Sequence, residues 1–123
     1  MIKYCSITVF DRELKKMAKK YPSLPDDLST LKTAVIELYH LKGVNALATF
    51  PIEGLCSNEK HYLSMKVKKF ACRSLKGKGA NTGLRLIYVF EPDKQQVTFL
   101  EIYCKADKAN EDRARIKNFI KHL

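Results

Sequence analysis

A single arginine, Arg85, sits in an otherwise apolar run, Leu84-Arg85-Leu86-Ile87-Tyr88-Val89-Phe90. Burying a guanidinium there is expensive unless it is paired or lies at an open edge. Cations crowd the stretch before it: Lys66, Lys68, Lys69, Arg73, Lys76 and Lys78. If the segment holding Lys69 and Arg73 is the hairpin partner of the Arg85 segment, their charges gather on one open face. Like charges held together repel unless an anion lies between them. A phosphodiester suits that space, because the planar guanidinium fork binds phosphate oxygens in pairs. The alternative partner for Arg85 is Glu101 on the next strand.

Such a set can cut RNA without a metal. The ribose 2′-hydroxyl attacks the adjacent phosphate and leaves a cyclic phosphate. The reaction needs a base for the hydroxyl, cations for the phosphorane charge and an acid for the leaving oxygen. A lysine crowded by other cations has a lowered pKa and can be the base, and Lys69 is the candidate. Arg73 and Arg85 would stabilise the charge. Lys105, Lys108 or Tyr103 could act as acid or phosphate contact. Lys66, Lys68, Lys76 and Lys78 are candidates for the RNA backbone. Lys76-Gly77-Lys78-Gly79 lacks the spacing of a nucleotide phosphate loop and the helix that should follow it, and reads as a backbone contact instead.

The charge of the chain points the same way. Twenty-three Lys and Arg against 13 Asp and Glu give a formal net charge of +10. Residues 1–59 hold 8 basic and 7 acidic residues, whereas residues 60–123 hold 15 and 6. No acid occurs from Lys60 to Phe90. Such a field attracts polyanions, nucleic acid first among them. No stretch resembles a spanning helix, a signal peptide or a lipidation motif, so the expectation is a cytoplasmic protein without a membrane partner. Cys5, Cys56, Cys72 and Cys104 form no zinc spacing, and His40, His61 and His122 are scattered. No metal or other cofactor is expected, and the thiols are expected to be reduced, with Cys72 and Cys104 filling the core.

The elements that must position these residues follow from periodicity. With 123 residues the chain is one domain, 1–123. Lys3–Phe10 is rich in β-branched and aromatic residues and predicts a strand. Phe10, Leu14, Met17, Ala18 and Tyr21 recur at helical spacing, with Lys15, Lys16, Lys19 and Lys20 outside. Pro22 and Pro25 break that helix. Asp26 and Asp27 favour the start of a second one. Leu28, Leu31, Val35, Leu38 and Leu41 give it an apolar stripe, and Gly43 ends it. Residues 43–60 read as a connection, with room for a short strand around Leu47–Phe50. From His61 the period is two, with a slip at Lys68-Lys69 that predicts a β-bulge or a break between two short strands. Two further strands follow, Leu84–Phe90, which needs cover on both faces, and Val97–Cys104. A last helix is capped by Asn110 and carries Ile116, Phe119, Ile120 and Leu123. The sum is an α+β domain: a mostly antiparallel sheet with helices on one face.

Three stretches resemble the RelE/ParE superfamily of prokaryotic toxins, and its RelE and HigB-like branch in particular. They are Lys69-Phe70-Ala71-Cys72-Arg73 with Gly77-Lys78-Gly79, Gly83-Leu84-Arg85-Leu86-Ile87-Tyr88, and Ile102-Tyr103-Cys104-Lys105-Ala106-Asp107-Lys108 before a final helix. Phe10-Asp11-Arg12-Glu13-Leu14-Lys15-Lys16 is similar to the family's first helix, and the likeness spans about residues 6–42 and 66–121. The resemblance implies a RelE-like fold and a toxin of a type II toxin–antitoxin system. The activity implied is ribosome-dependent cleavage of messenger RNA, which inhibits translation. Lys69 then matches a catalytic lysine, Arg85 the phosphate-stabilising arginine and Lys105 a lysine after the last strand. The implied partners are messenger RNA, the ribosome and an acidic antitoxin wrapped over the basic sheet or the helical hairpin. Ala71 stands where such toxins often have a second lysine. No tyrosine follows Tyr103, and His122 is the residue that could replace it. ParE-like relatives inhibit DNA gyrase and cut nothing, and a non-catalytic RNA-binding relative is the other alternative.

Overall fold

The computed structural model describes residues 1–44 and 48–123. The chain runs β1 (Lys3–Ser6), α1 (Thr8–Lys20), α2 (Leu24–Leu31), a π-helical segment (Lys32–Glu37) and α3 (Leu38–Lys42). It continues through β2 (Thr49–Ser57), β3 (Tyr62–Val67), β4 (Leu84–Glu91), β5 (Gln96–Cys104) and α4 (Arg113–Lys121). The strands form one five-stranded sheet in the order β1-β5-β4-β3-β2. β1 is parallel to β5 and every other pair is antiparallel. The α+β class and the mostly antiparallel sheet are as the periodicity predicts.

Several elements depart from that prediction. The first strand stops at Ser6 and the helix takes Thr8–Phe10. Phe10 is the first residue of the helical stripe, and it is buried under the sheet against Phe99 at 5.3 Å. Residues 49–57 form a whole strand instead of a connection. Pro51 and Gly54 disguise it. β2 lies at the sheet edge, where a missing N–H is tolerated, and its register slips between Pro51 and Cys56 around Gly54, whose φ is +81°. Leu47, the start of the short strand considered there, lies outside the described residues.

The slip at Lys68-Lys69 marks neither a bulge nor a second strand. β3 ends at Val67, and the chain leaves the sheet. Phe70 and Cys72 then drop into the core beside α2. Buried Thr82 fixes this excursion, donating to the Phe70 carbonyl at 2.6 Å and accepting from the Leu84 N–H at 3.1 Å. The bulge lies in β5 instead: Ile87 faces Glu101 and Tyr88 faces Phe99, leaving Leu100 extra.

The helices cover both faces, not one. Leu84, Leu86, Tyr88 and Phe90 of β4 pack under α1 and α2, while Ile87 and Val89 point the other way onto Ile116 of α4. This is what an almost wholly apolar central strand requires. α4 starts three residues after Asn110. Its cap is Asp112, whose carboxylate accepts from the Arg115 N–H at 3.0 Å and whose own N–H donates to buried Glu101 at 2.8 Å. A sheet residue therefore sets where this helix begins, and Glu111 is left free to face the strands.

Candidate nucleic-acid interface

The ladder puts the basic residues in register. Phe50 on β2 lies opposite Lys66 on β3, Lys66 opposite Ile87 on β4, and Ile87 opposite Glu101 on β5. One row further along, Arg85 lies opposite Tyr103. Side chains alternate along a strand, so Phe50, Lys66, Arg85, Ile87 and Tyr103 share the face that α4 covers. α4 covers only part of it. Its first turn is pinned beside Glu101, and Ile116 packs on Ile87, Val89 and Leu100. In the Arg85 row Tyr103 is buried in the same cluster as Ile116.

Arg85 is half-buried and is not the partner of Glu101. Its Nη1 donates to the backbone carbonyls of Lys68 at 2.9 Å and Leu84 at 3.2 Å. No carboxylate among the described residues pairs with it, and its Nε and Nη2 make no hydrogen bond within that set. Within that set three N–H donors on two nitrogens, Nε and Nη2, remain for an anion. Glu101 is taken by the Lys108 ammonium and the Asp112 N–H.

Lys66 has a different role from that expected of a crowded lysine. Its ammonium donates to Glu111 at 2.9 Å in a pair whose side chains are only 16% and 10% exposed. Burial alone would lower the Lys66 pKa, but the Glu111 carboxylate outweighs it and raises the pKa. Burial likewise favours a neutral Glu111, yet Lys66 and its other partners hold that carboxyl below the usual range. Both groups are charged at neutral pH. Burial pushes the Tyr103 hydroxyl up, and the neighbouring Lys66 ammonium pulls it partway back. That hydroxyl is buried and finds no hydrogen-bond partner among the described residues. Tyr103 therefore belongs to the floor of the site, under the Lys108 ammonium, which lies 5.3 Å from its ring centroid.

The other candidate residues divide. Lys68, one residue past β3, joins the site through its carbonyl on Arg85, and its ammonium lies 5.0 Å from the Phe50 ring centroid. Lys105 is exposed at the same sheet end, its N–H bonded to the Gly83 carbonyl at 2.8 Å. Lys76 and Lys78 are exposed in the loop leading to β4. Lys69 is exposed beyond β3 and takes no place in the ladder, so it is not a cross-strand neighbour of Arg85. Arg73 is held elsewhere: Nε donates to Asp27 at 3.1 Å and Nη2 to Asp26 at 3.4 Å. It latches the post-β3 excursion to the start of α2. His122 lies at the C-terminal end of α4, where the neighbouring residues are those of the opposite end of β4, such as Glu91. It does not reach the Arg85 row.

Sequence reasoning missed Phe50 and Glu111. Phe50 sits before a proline in a strand with no clean alternation. Glu111 reads in sequence as a first-turn acid of the last helix. An acid that can reach a basic, acid-free strand segment is the available signal. Among the described residues no group of three or more His, Cys, Asp or Glu side chains is gathered as a metal would need. All four cysteines are free, with Cys72 buried and Cys104 half-buried. Among the described residues no helix is long and apolar enough to cross a membrane.

Fold and site together define an α+β protein on one mixed sheet, with Lys66, Lys68 and Arg85 gathered at one end of a sheet face. Comparison with protein-family models, with curated proteins and with solved structures finds no match.

Proposed function

We propose that this chain is an RNA-cleaving toxin of the RelE/ParE type, acting without a metal on messenger RNA at the ribosome and neutralised by an acidic antitoxin. The observation that carries the reading is the Arg85 guanidinium: among the described residues it pairs with no carboxylate and its Nε and Nη2 make no hydrogen bond, with Lys68 and ion-paired Lys66 on the neighbouring strand segment. The ribosome and the antitoxin enter through the resemblance of Lys69–Arg73, Gly83–Tyr88 and Ile102–Lys108.

In this reading Arg85 and Lys68 hold the scissile phosphate. Glu111, ionised and beside Lys66, takes the proton of the 2′-hydroxyl. The oxygen so freed attacks phosphorus, and the bond to the 5′-oxygen breaks. Lys66 offsets the developing charge and returns a proton to the leaving oxygen. The products are a 2′,3′-cyclic phosphate and a 5′-hydroxyl. Lys69, Lys76, Lys78, Lys105 and Lys108 supply the electrostatic rim along the backbone. The close Lys66–Glu111 pair favours one alternative, RNA binding without cleavage, because both groups are already partnered.

Primer extension on messenger RNA from a reconstituted translation reaction separates the two. The expected result is new ends within codons that require ribosomes, persist in EDTA and vanish in Arg85→Ala. Intact message in every lane sinks the cleavage reading and leaves RNA binding or gyrase inhibition, which a supercoiling assay tells apart.

A further inference from the structure

Phe50 is a large aromatic residue that the core does not use. It is half-buried on the edge strand β2 and belongs to neither hydrophobic cluster. No other aromatic ring among the described residues stacks on it. The neighbour on its ring is the Lys68 ammonium, at 5.0 Å. A phenylalanine unclaimed by packing costs hydration, which a ligand with a flat apolar face would relieve.

Lys68 links this ring to the anion site. Its carbonyl holds Arg85 Nη1 at 2.9 Å while its ammonium lies over Phe50. Phe50 and Arg85 lie two strands and one row apart on the same face, about 12 Å between Cα atoms from ordinary sheet spacings. Lys68 touches both, the one through its ammonium and the other through its carbonyl. A phosphate held at Arg85 and Lys68 has its base one ribose away, a distance that the Phe50 ring on the neighbouring strand can span.

From this geometry we infer that Phe50 and Lys68 form a nucleobase-stacking subsite for single-stranded RNA, next to the phosphate fork of Arg85. The inference rests on the RNA reading above and adds the base to it. A ring offers its π-face to every base, so the subsite positions the strand and is tolerant of sequence. It also requires an unstacked nucleotide, which a single strand supplies and a duplex does not.

The chain has no tryptophan and six tyrosines, so Phe50→Trp places a single indole at the subsite, excited selectively to the red of tyrosine absorption. Short single-stranded RNA and inorganic polyphosphate of matched length are the two probes, the second carrying phosphates without bases. RNA is expected to quench the emission of the introduced indole and polyphosphate to leave it unchanged, although both bind. In a parallel anisotropy experiment, Phe50→Leu should weaken RNA binding about tenfold, the scale of one stacked base. Polyphosphate affinity should not move. RNA that binds wild type but neither quenches the indole nor responds to Phe50→Leu overturns the subsite and leaves the RNA reading intact. RNA that does not bind wild type at all overturns that reading and the subsite with it.

Discussion

At the scale of single residues, the site turns on which cations are already spent. Arg73 and Lys66 look equivalent to Arg85 in the sequence, yet Arg73 is bound to Asp26 and Asp27, and Lys66 to Glu111. Burial works against the Asp27 charge. Hydrogen bonds from Ser23 and Arg73 outweigh it and hold the carboxyl below its usual range, so the latch stays ionised. Of the three, Arg85 alone has no carboxylate partner among the described residues. In the proposed mechanism the general base is the Glu111 carboxylate rather than Lys69, because Glu111 meets Lys66 on the ladder whereas Lys69 takes no place in it. Glu111→Gln is expected to lower kcat for RNA cleavage about 100-fold, with KM nearly unchanged. Lys69→Ala should instead raise KM and leave kcat close to wild type. Single-turnover cleavage of the two variants checks this, and the opposite pattern would return the base to Lys69.

At the scale of elements, the second helix shows how one local irregularity redirects a face. Read at a constant helical period, its stripe runs Leu28, Leu31, Val35, Leu38, Leu41. The π-helical segment at Lys32–Glu37 widens one turn and shifts the phase. Leu28 and Leu31 remain buried before it. Within it Ile36 is fully buried; after it Tyr39 packs on the core, and Leu38 and Leu41 are exposed at 37% and 43%. Gly43 ends the helix as expected, with a left-handed φ of +68° that suits glycine. The consequence is measurable in urea. Ile36→Ala should cost about 2–4 kcal/mol, as for a large-to-small change in a packed core. Leu38→Ala should cost less than about 1 kcal/mol, as a surface change. Equal costs would mean the helix keeps its phase through residues 32–37.

At the scale of the whole molecule, three layers are tied together by a few polar contacts in an apolar setting. One is His40 on α3, whose Nε2 meets the Tyr88 hydroxyl of the central strand at 2.8 Å and whose ring stacks on Phe90 at 4.1 Å. Burial lowers this imidazole from 6.5 to about 4. The unfolded chain therefore takes up a proton near pH 6.5 that the folded chain refuses until about pH 4. His40 contributes its stability above that window, and the contribution is lost as pH falls through it. The melting temperature of wild type should drop between pH 7 and pH 5 by more than that of His40→Gln. A glutamine keeps a polar partner for Tyr88 and does not titrate. Equal drops would place the acid sensitivity elsewhere.

How much of this was legible depends on the range of the interaction that decides it. The helical stripe from Phe10 to Tyr21, the break at Pro22 and Pro25, the end at Gly43 and the strands over 84–90 and 97–104 are set by neighbours a few residues apart. Periodicity, proline and glycine report them directly. The cationic character of the second half is a property of composition and needs no fold. β2 stays hidden because Pro51 and Gly54 are turn signals in sequence, and only an edge position with a slipped register makes them compatible with a strand. Its nucleic-acid candidate Phe50 is hidden with it. The cap of α4 escapes local reading because Glu101, distant along the chain, fixes Asp112.

By itself the sequence determined the α+β class, most element positions, the basic field and the choice of Arg85 as the residue to explain. Each follows from short-range pattern or from summed charge. Tertiary structure alone decided which face α4 covers, which cations are consumed by carboxylates, and which side chains meet across the ladder. Those are matters of register and long-range pairing. Shifting one residue along a strand turns a side chain to the other face, and no local pattern records which carboxylate arrives to meet it.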